Sequence, residues 1–185
     1  MSKDVLTINV TGHRPNKFVG GYNIHNESYQ PVRAAIKRAI MGRINEHKPK
    51  KVIVYCGMAL GIDQIFVECA ADARLYYKEK GIDFKIIAAI PCHDQDGRWQ
   101  ESSKRLYKKL LETCDKQVMV TDSPYKTGCM EIRNQYMVDN SDCTIAVWDG
   151  SRGGTGNCVK DAVKAGNEII RINPNDNFAV TKMLQ

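Results

Sequence analysis

The stretch "AVWDGSRGGTGNCVKDA", residues 146–162, carries the reading of the fold. An apolar run stops at Asp149, the glycines at 150, 153, 154 and 156 follow, and a segment with helical spacing begins. Apolar run, glycine-rich loop and helix together describe one strand-to-helix unit of an α/β protein. Glycine clusters lose much conformational freedom on folding, so the loop must either turn sharply or let something approach its backbone.

The same unit recurs along the whole chain. Apolar runs predict strands at residues 5–10, 51–55, 84–90, 117–120, 144–148 and 168–172. Several are near-continuous in Val, Ile and Ala, as in strands covered on both faces. Between them lie stripes at helical spacing. Val32, Ala35, Ile36, Ala39, Ile40 and Ile44 form the first. Ile65, Phe66, Cys69, Ala73, Tyr76 and Tyr77 form the second, with Gly81 as its C-terminal stop, and Trp99, Ser103, Leu106, Leu110 and Cys114 form the third. This alternation predicts an α/β, Rossmann-like doubly wound fold: a mainly parallel sheet flanked by helices, in a single domain over residues 1–185.

Composition narrows the class. Hydrophobic residues make up 43% and charged residues 26%, which places the chain among ordinary globular proteins rather than disordered ones. No apolar run reaches the roughly 18 residues of a membrane span, so no membrane partner is expected. The start, "MSKDVLTINV", has no signal-peptide core. Seven cysteines without a CxxC pair read as reduced thiols of a cytoplasmic protein. A net charge of +6 favours anionic ligands, but no basic stripe interleaved with aromatics stands out, so nucleic acid is not expected as a partner.

Ligands of doubly wound sheets bind at the carboxyl ends of the strands, so the loops there carry the functional argument. "GSRGGTGN" ahead of a helix is an anion site in the making: its bare backbone amides and the helix dipole face one way. Ser151, Gly153, Gly154, Thr155, Gly156 and Asn157 are its candidate contacts. The absence of GxxxxGK[ST], and of GxGxxG after the first strand, removes support for Walker-type hydrolysis and for nicotinamide chemistry. No cofactor is assigned. "TGHRP" places Gly12, His13 and Arg14 past the first strand, where Arg can grip a phosphate bidentately. "GMALGID" offers Gly57 and Asp63; the carboxylate suits either a ribose or the first turn of its helix. In "PCHDQDGRWQ", His93, Asp94 and Asp96 match no dependable ligand spacing, so no metal is assigned, while Gln95 and Trp99 are candidate contacts to a base or sugar. Arg133 and Asn134 fall early in a helix that starts within residues 128–142.

"TGHRP", "GMALGID", "IRNQYMVDNSD" and "IAVWDGSRGGTGN", in this order, resemble the SLOG superfamily, and within it the YspA-like, or DUF1273, branch; the LOG and DprA/Smf proteins are more distant relatives. The resemblance implies a Rossmann-like nucleotide-binding fold whose glycine loop holds phosphate. It implies a nucleotide-derived ligand, NAD- or ADP-ribose-like or a cyclic nucleotide, held by a sensor or a sequestering protein. A LOG-type phosphoribohydrolase is the alternative it raises, with Arg133 as the catalytic candidate, since "RNQYM" fits the spacing of RKxxM. Against it, Asn157 replaces the Thr of PGGxGTxxE, and Val159 is taken as the position of the catalytic Glu. Single-stranded DNA binding, as in DprA relatives, is the weaker alternative. A homo-oligomer, with a dimer as its simplest form, is expected by analogy with other doubly wound proteins.

Overall fold

Strand β1 (Val5–Gly12) is central to the sheet and shows why the chain reads as it does. Leu6, Ile8 and Val10 point to one face and are fully buried; Thr7, Asn9 and Thr11 alternate with them on the other. The computed structural model describes residues 4–183, so the first three and last two residues of the 1–185 span lie outside the described residues. The strands β2 (Lys51–Cys56), β3 (Asp83–Ile90), β4 (Lys116–Met119), β5 (Cys143–Val147), β6 (Glu168–Asn173) and β7 (Ala179–Met183) complete one sheet in the order β4-β3-β2-β1-β5-β6-β7. All pairings are parallel except β6 with β7. This is the α/β Rossmann-like arrangement that the alternation predicts.

Among the described residues, five α-helices cover the sheet. Those of the first face are α1 (Gln30–His47), α2 (Ile62–Lys78) and α3 (Glu101–Thr113), which share the large core with Leu6, Ile8 and Val10. The predicted stripe of α1, Val32 to Ile44, is buried throughout. The stripe of α2 is buried except for Tyr76, which lies outside the core under the Lys80 ammonium, 4.3 Å from the ring centroid. The opposite face carries α4 (Cys129–Asp139) and α5 (Gly154–Lys164) over two smaller apolar clusters. No described helix is long and apolar enough to cross a membrane.

Strand β7 has no counterpart among the predicted strands. It is an edge strand of five residues with none fully buried, so no apolar run marks it.

The strand order fixes where a ligand fits. From β1 the chain builds outward through β2, β3 and β4, then returns to place β5 on the other side of β1. Gly12 and Val147 are register partners at the carboxyl ends of β1 and β5. The loops leaving these two strands diverge to opposite faces, which opens a crevice between them.

Candidate functional site

A cleft of about 400 Å³ lies in that crevice. The loop after β5 forms one wall, held in shape by its own side chains. The Asp149 carboxylate accepts the Ser151 N–H at 2.8 Å, and the Trp148 indole donates to the Ser151 carbonyl at 2.8 Å. Hydrogen bonds from the Ser151 hydroxyl and N–H hold the Asp149 carboxyl well below the usual carboxylate range, with His13 adding to the effect. His13 Nε2 lies 2.9 Å from Asp149 Oδ1 and joins the β1 loop to the β5 loop.

Gly153 then turns the chain at φ +139°, a conformation that L side chains rarely adopt, and starts α5. This helix has no side-chain cap and no acidic residue in its first turn. Its first internal bond runs from Asn157 N–H to the Gly153 carbonyl at 2.8 Å, so the amides of Gly154, Thr155 and Gly156 precede it. These three residues line the cleft.

The other wall is cationic. Arg14, Lys17 and Arg152 line the cleft, and their side chains have no hydrogen-bond or ion-pair partner among the described residues. Deeper in, Arg133 of α4 is 4% exposed. Its Nε donates to Asn134 Oδ1 at 3.0 Å and its Nη1 to the Gly57 carbonyl, while Nη2 has only a 4.0 Å contact with the Met130 sulfur. Asp63, in the first turn of α2, accepts the Ala59 N–H through Oδ2 at 3.1 Å, and that oxygen is 3.9 Å from Arg133 Nη1. Burial pushes the Asp63 carboxyl up, opposed by the Arg133 charge and the Ala59 N–H. With Glu131 counted, four cationic side chains meet two acidic ones, so the cleft is suited to an anion.

Most of the candidate residues from the sequence meet here. Gly12, His13, Arg14 and Asp63 line the cleft from the first and second loops, Arg133 and Asn134 from α4. Ser151, Gly153, Gly154, Thr155 and Gly156 line it from the last loop. Gly57, Gln95, Trp99 and Asn157 do not. Gln95 is buried and donates to the Gly57 carbonyl at 2.9 Å, with the Tyr107 hydroxyl on its own Oε1 at 3.2 Å. Trp99 packs edge-on against Tyr107, with ring centroids 5.3 Å apart, beside the main core. Asn157 faces outward on α5. His93, Asp94 and Asp96 do not converge: His93 pairs with Asp122, and Asp94 accepts the Tyr125 N–H at 2.6 Å.

The sequence reading passed over Asn16, Lys17 and Arg152, which also line the cleft. Lys17 and Arg152 sit in loops already singled out, and a basic residue beside a candidate phosphate loop is the signal that would have found them. One motif position also needs correction. Counted from Gly153, the Glu of PGGxGTxxE falls on Lys160, one residue beyond Val159. Lys160 is exposed, and Val159 is buried in the apolar cluster with Val138, Ala146 and Ile169. Neither position holds a carboxylate.

Solved structures with this fold include DNA processing protein A of Streptococcus pneumoniae, with a TM-score of 0.59 and 19% identity over 94% of this chain. The chain spans 53% of that protein's length. DNA processing protein A of Helicobacter pylori, which binds single-stranded DNA, superposes with a TM-score of 0.57 and 16% identity over 94% of this chain and 68% of its own. This corrects the expectation that nucleic acid is an unlikely partner. Net charge and aromatic content of a whole chain do not decide the matter, because phosphate contacts depend on the few cations gathered at one cleft. Among sequence relatives, the SPbeta prophage-derived protein YoqJ of Bacillus subtilis strain 168 is 31% identical over 80% of this chain and 93% of its own. A UPF0398 protein of Bacillus thuringiensis strain Al Hakam is 22% identical over 88% of this chain and 84% of its own. The sequence profile of the YspA SLOG family matches residues 8–174, in step with the loops that build the cleft, and the chain belongs to that family.

Proposed function

We propose that the chain captures the phosphate of a nucleotide or nucleotide-derived signal in the cleft between β1 and β5, as a sensor or a sequestering protein. One observation carries this reading: the uncapped amino end of α5 opens on the same cleft as three cations that have no partner among the described residues. The helix dipole contributes only about 0.3–1 kcal/mol. Charge-assisted hydrogen bonds contribute roughly 1.5–3 kcal/mol each, so a few of them reach the roughly −8 kcal/mol of micromolar binding. The cleft offers that many: three amides, Arg14 and Arg152. All seven cysteines are free, which supports a reducing, cytoplasmic setting.

Thermal shift against a panel of AMP, NAD, ADP-ribose and cyclic nucleotides tests the reading. Phosphate-bearing nucleotides raise Tm, and Gly154→Val abolishes the rise. Gly154 lines the cleft and a Cβ there meets nothing within 4 Å, so the substitution adds bulk at the anion site without a clash in the fold. A panel without any shift would refute the proposal. Nucleotide recovered intact after heating separates capture from hydrolysis, which would release free base.

Single-stranded DNA is the second reading. It is favoured by the H. pylori relative and by the exposed Arg14, Lys17 and Arg152, which suit the phosphodiester equally well. A gel shift at two salt concentrations tests it: retention that weakens as salt rises supports DNA binding, and no retention at low salt removes it.

A further inference from the structure

Asp63 is out of place in a phosphate site. It is 6% exposed and lines a cleft whose other charges are mostly positive. Its Oδ2 is occupied by the Ala59 N–H, with Arg133 Nη1 nearby. Its Oδ1 accepts from no described residue, and the residue lines the cleft. A carboxylate oxygen repels phosphate and requires a donor. An ammonium donor is disfavoured beside Arg14, Lys17 and Arg152, which leaves a neutral hydroxyl or amine.

Two donors with unspent capacity line the same cleft. Asn134 spends its Oδ1 on Arg133, which leaves its amide nitrogen for the cleft, and Arg133 Nη2 has only the Met130 sulfur beside it. A hydroxyl both donates and accepts, so it matches such a set; an amine that only donates uses half of it.

Resting on the nucleotide reading above, we infer that Asp63, with Asn134 and Arg133, recognises the hydroxyls of the sugar next to the bound phosphate, so that the cleft selects ribonucleotides over deoxynucleotides. Asp63 is the specificity-determining residue of the site. Internal residues of single-stranded DNA carry no free sugar hydroxyl and would leave Oδ1 unmatched.

The test is isothermal titration of the full chain with AMP, 2′,3′-dideoxy-AMP and inorganic phosphate. AMP is expected to bind at least about tenfold more tightly than the dideoxy compound, the size of one charge-assisted hydrogen bond. Asp63→Asn keeps the shape and an acceptor for Ala59 N–H, and is expected to bring that ratio below about threefold. Equal affinity of the unsubstituted protein for AMP and dideoxy-AMP overturns the inference, as does an unchanged ratio in Asp63→Asn. Should the variant fail to fold, the ratio in the unsubstituted protein decides alone. Binding of inorganic phosphate without discrimination between the nucleotides overturns only this inference. Failure of AMP and phosphate alike to bind overturns the nucleotide reading with it.

Discussion

Gly57 and Arg133 interlock. The glycine's carbonyl accepts a hydrogen bond from Arg133 Nη1, and a Cβ at position 57 would stand inside the guanidinium. The turn after β2 thus sets how deep the arginine of α4 sits in the cleft. Gly57→Ala is expected to expel Arg133 and to cost roughly 1–3 kcal/mol, as overpacking does. Thermal denaturation would show the loss of stability, and nucleotide would no longer raise Tm. Gly154→Ala, placed in open space, should leave stability within about 0.5 kcal/mol.

Gln95 supports the same carbonyl from the far side, between the Tyr107 hydroxyl and Gly57. Gln95→Met preserves volume but leaves the Tyr107 hydroxyl without its acceptor. The expected cost is about 1–3 kcal/mol, read as a lower urea midpoint with the slope unchanged. Tyr107→Phe removes that stranded hydroxyl, so the double variant should lose less than the sum of the singles.

The depressed Asp149 carboxyl makes a statement about acid stability. Its folded-state value lies below the ordinary value of 3.8, so its contribution is complete above that value and fades as pH falls further toward the folded value. Ser151→Ala removes the hydroxyl that contributes most. The variant should differ from the parent protein at neutral pH and converge on it as pH drops below about 4, measured by urea unfolding across pH. A difference that stays constant across that range would contradict this assignment.

Val159 belongs to the core between α5 and the sheet. Val159→Glu would bury a carboxylate in the apolar cluster of Val138, Ala146 and Ile169, and a loss of several kcal/mol or outright misfolding is expected. Lys160→Glu, on the exposed side of the same helix, should be tolerated within about 0.5 kcal/mol. Circular dichroism melts of the two variants distinguish a core position from a surface one.

The fold was legible because parallel strands buried on both faces appear as unbroken apolar runs, as β5 does from Cys143 to Val147. Strand β7 was not, since its side chains are half-exposed and it pairs only at an edge. The same limit applies to the site. Local pattern shows that "PCHDQDGRWQ" follows a strand, but not that β3 lies beyond β2 and β1 from β5. Gln95 and Trp99 therefore meet Tyr107 and the back of the Gly57 turn, while Arg14 and Gly154 face the crevice. Loop position could be read residue by residue; which loops are neighbours depends on strand order.

The contact between His13 and Asp149 spans 136 positions of the chain. A ribosome must therefore make nearly the whole domain before the first loop finds the last, and loop closure over that distance is among the slow events of folding. No fragment that ends before β5 contains the cleft. A bound nucleotide would tie the earliest-made strand to one of the latest, so it would hold only chains already grown past the glycine loop.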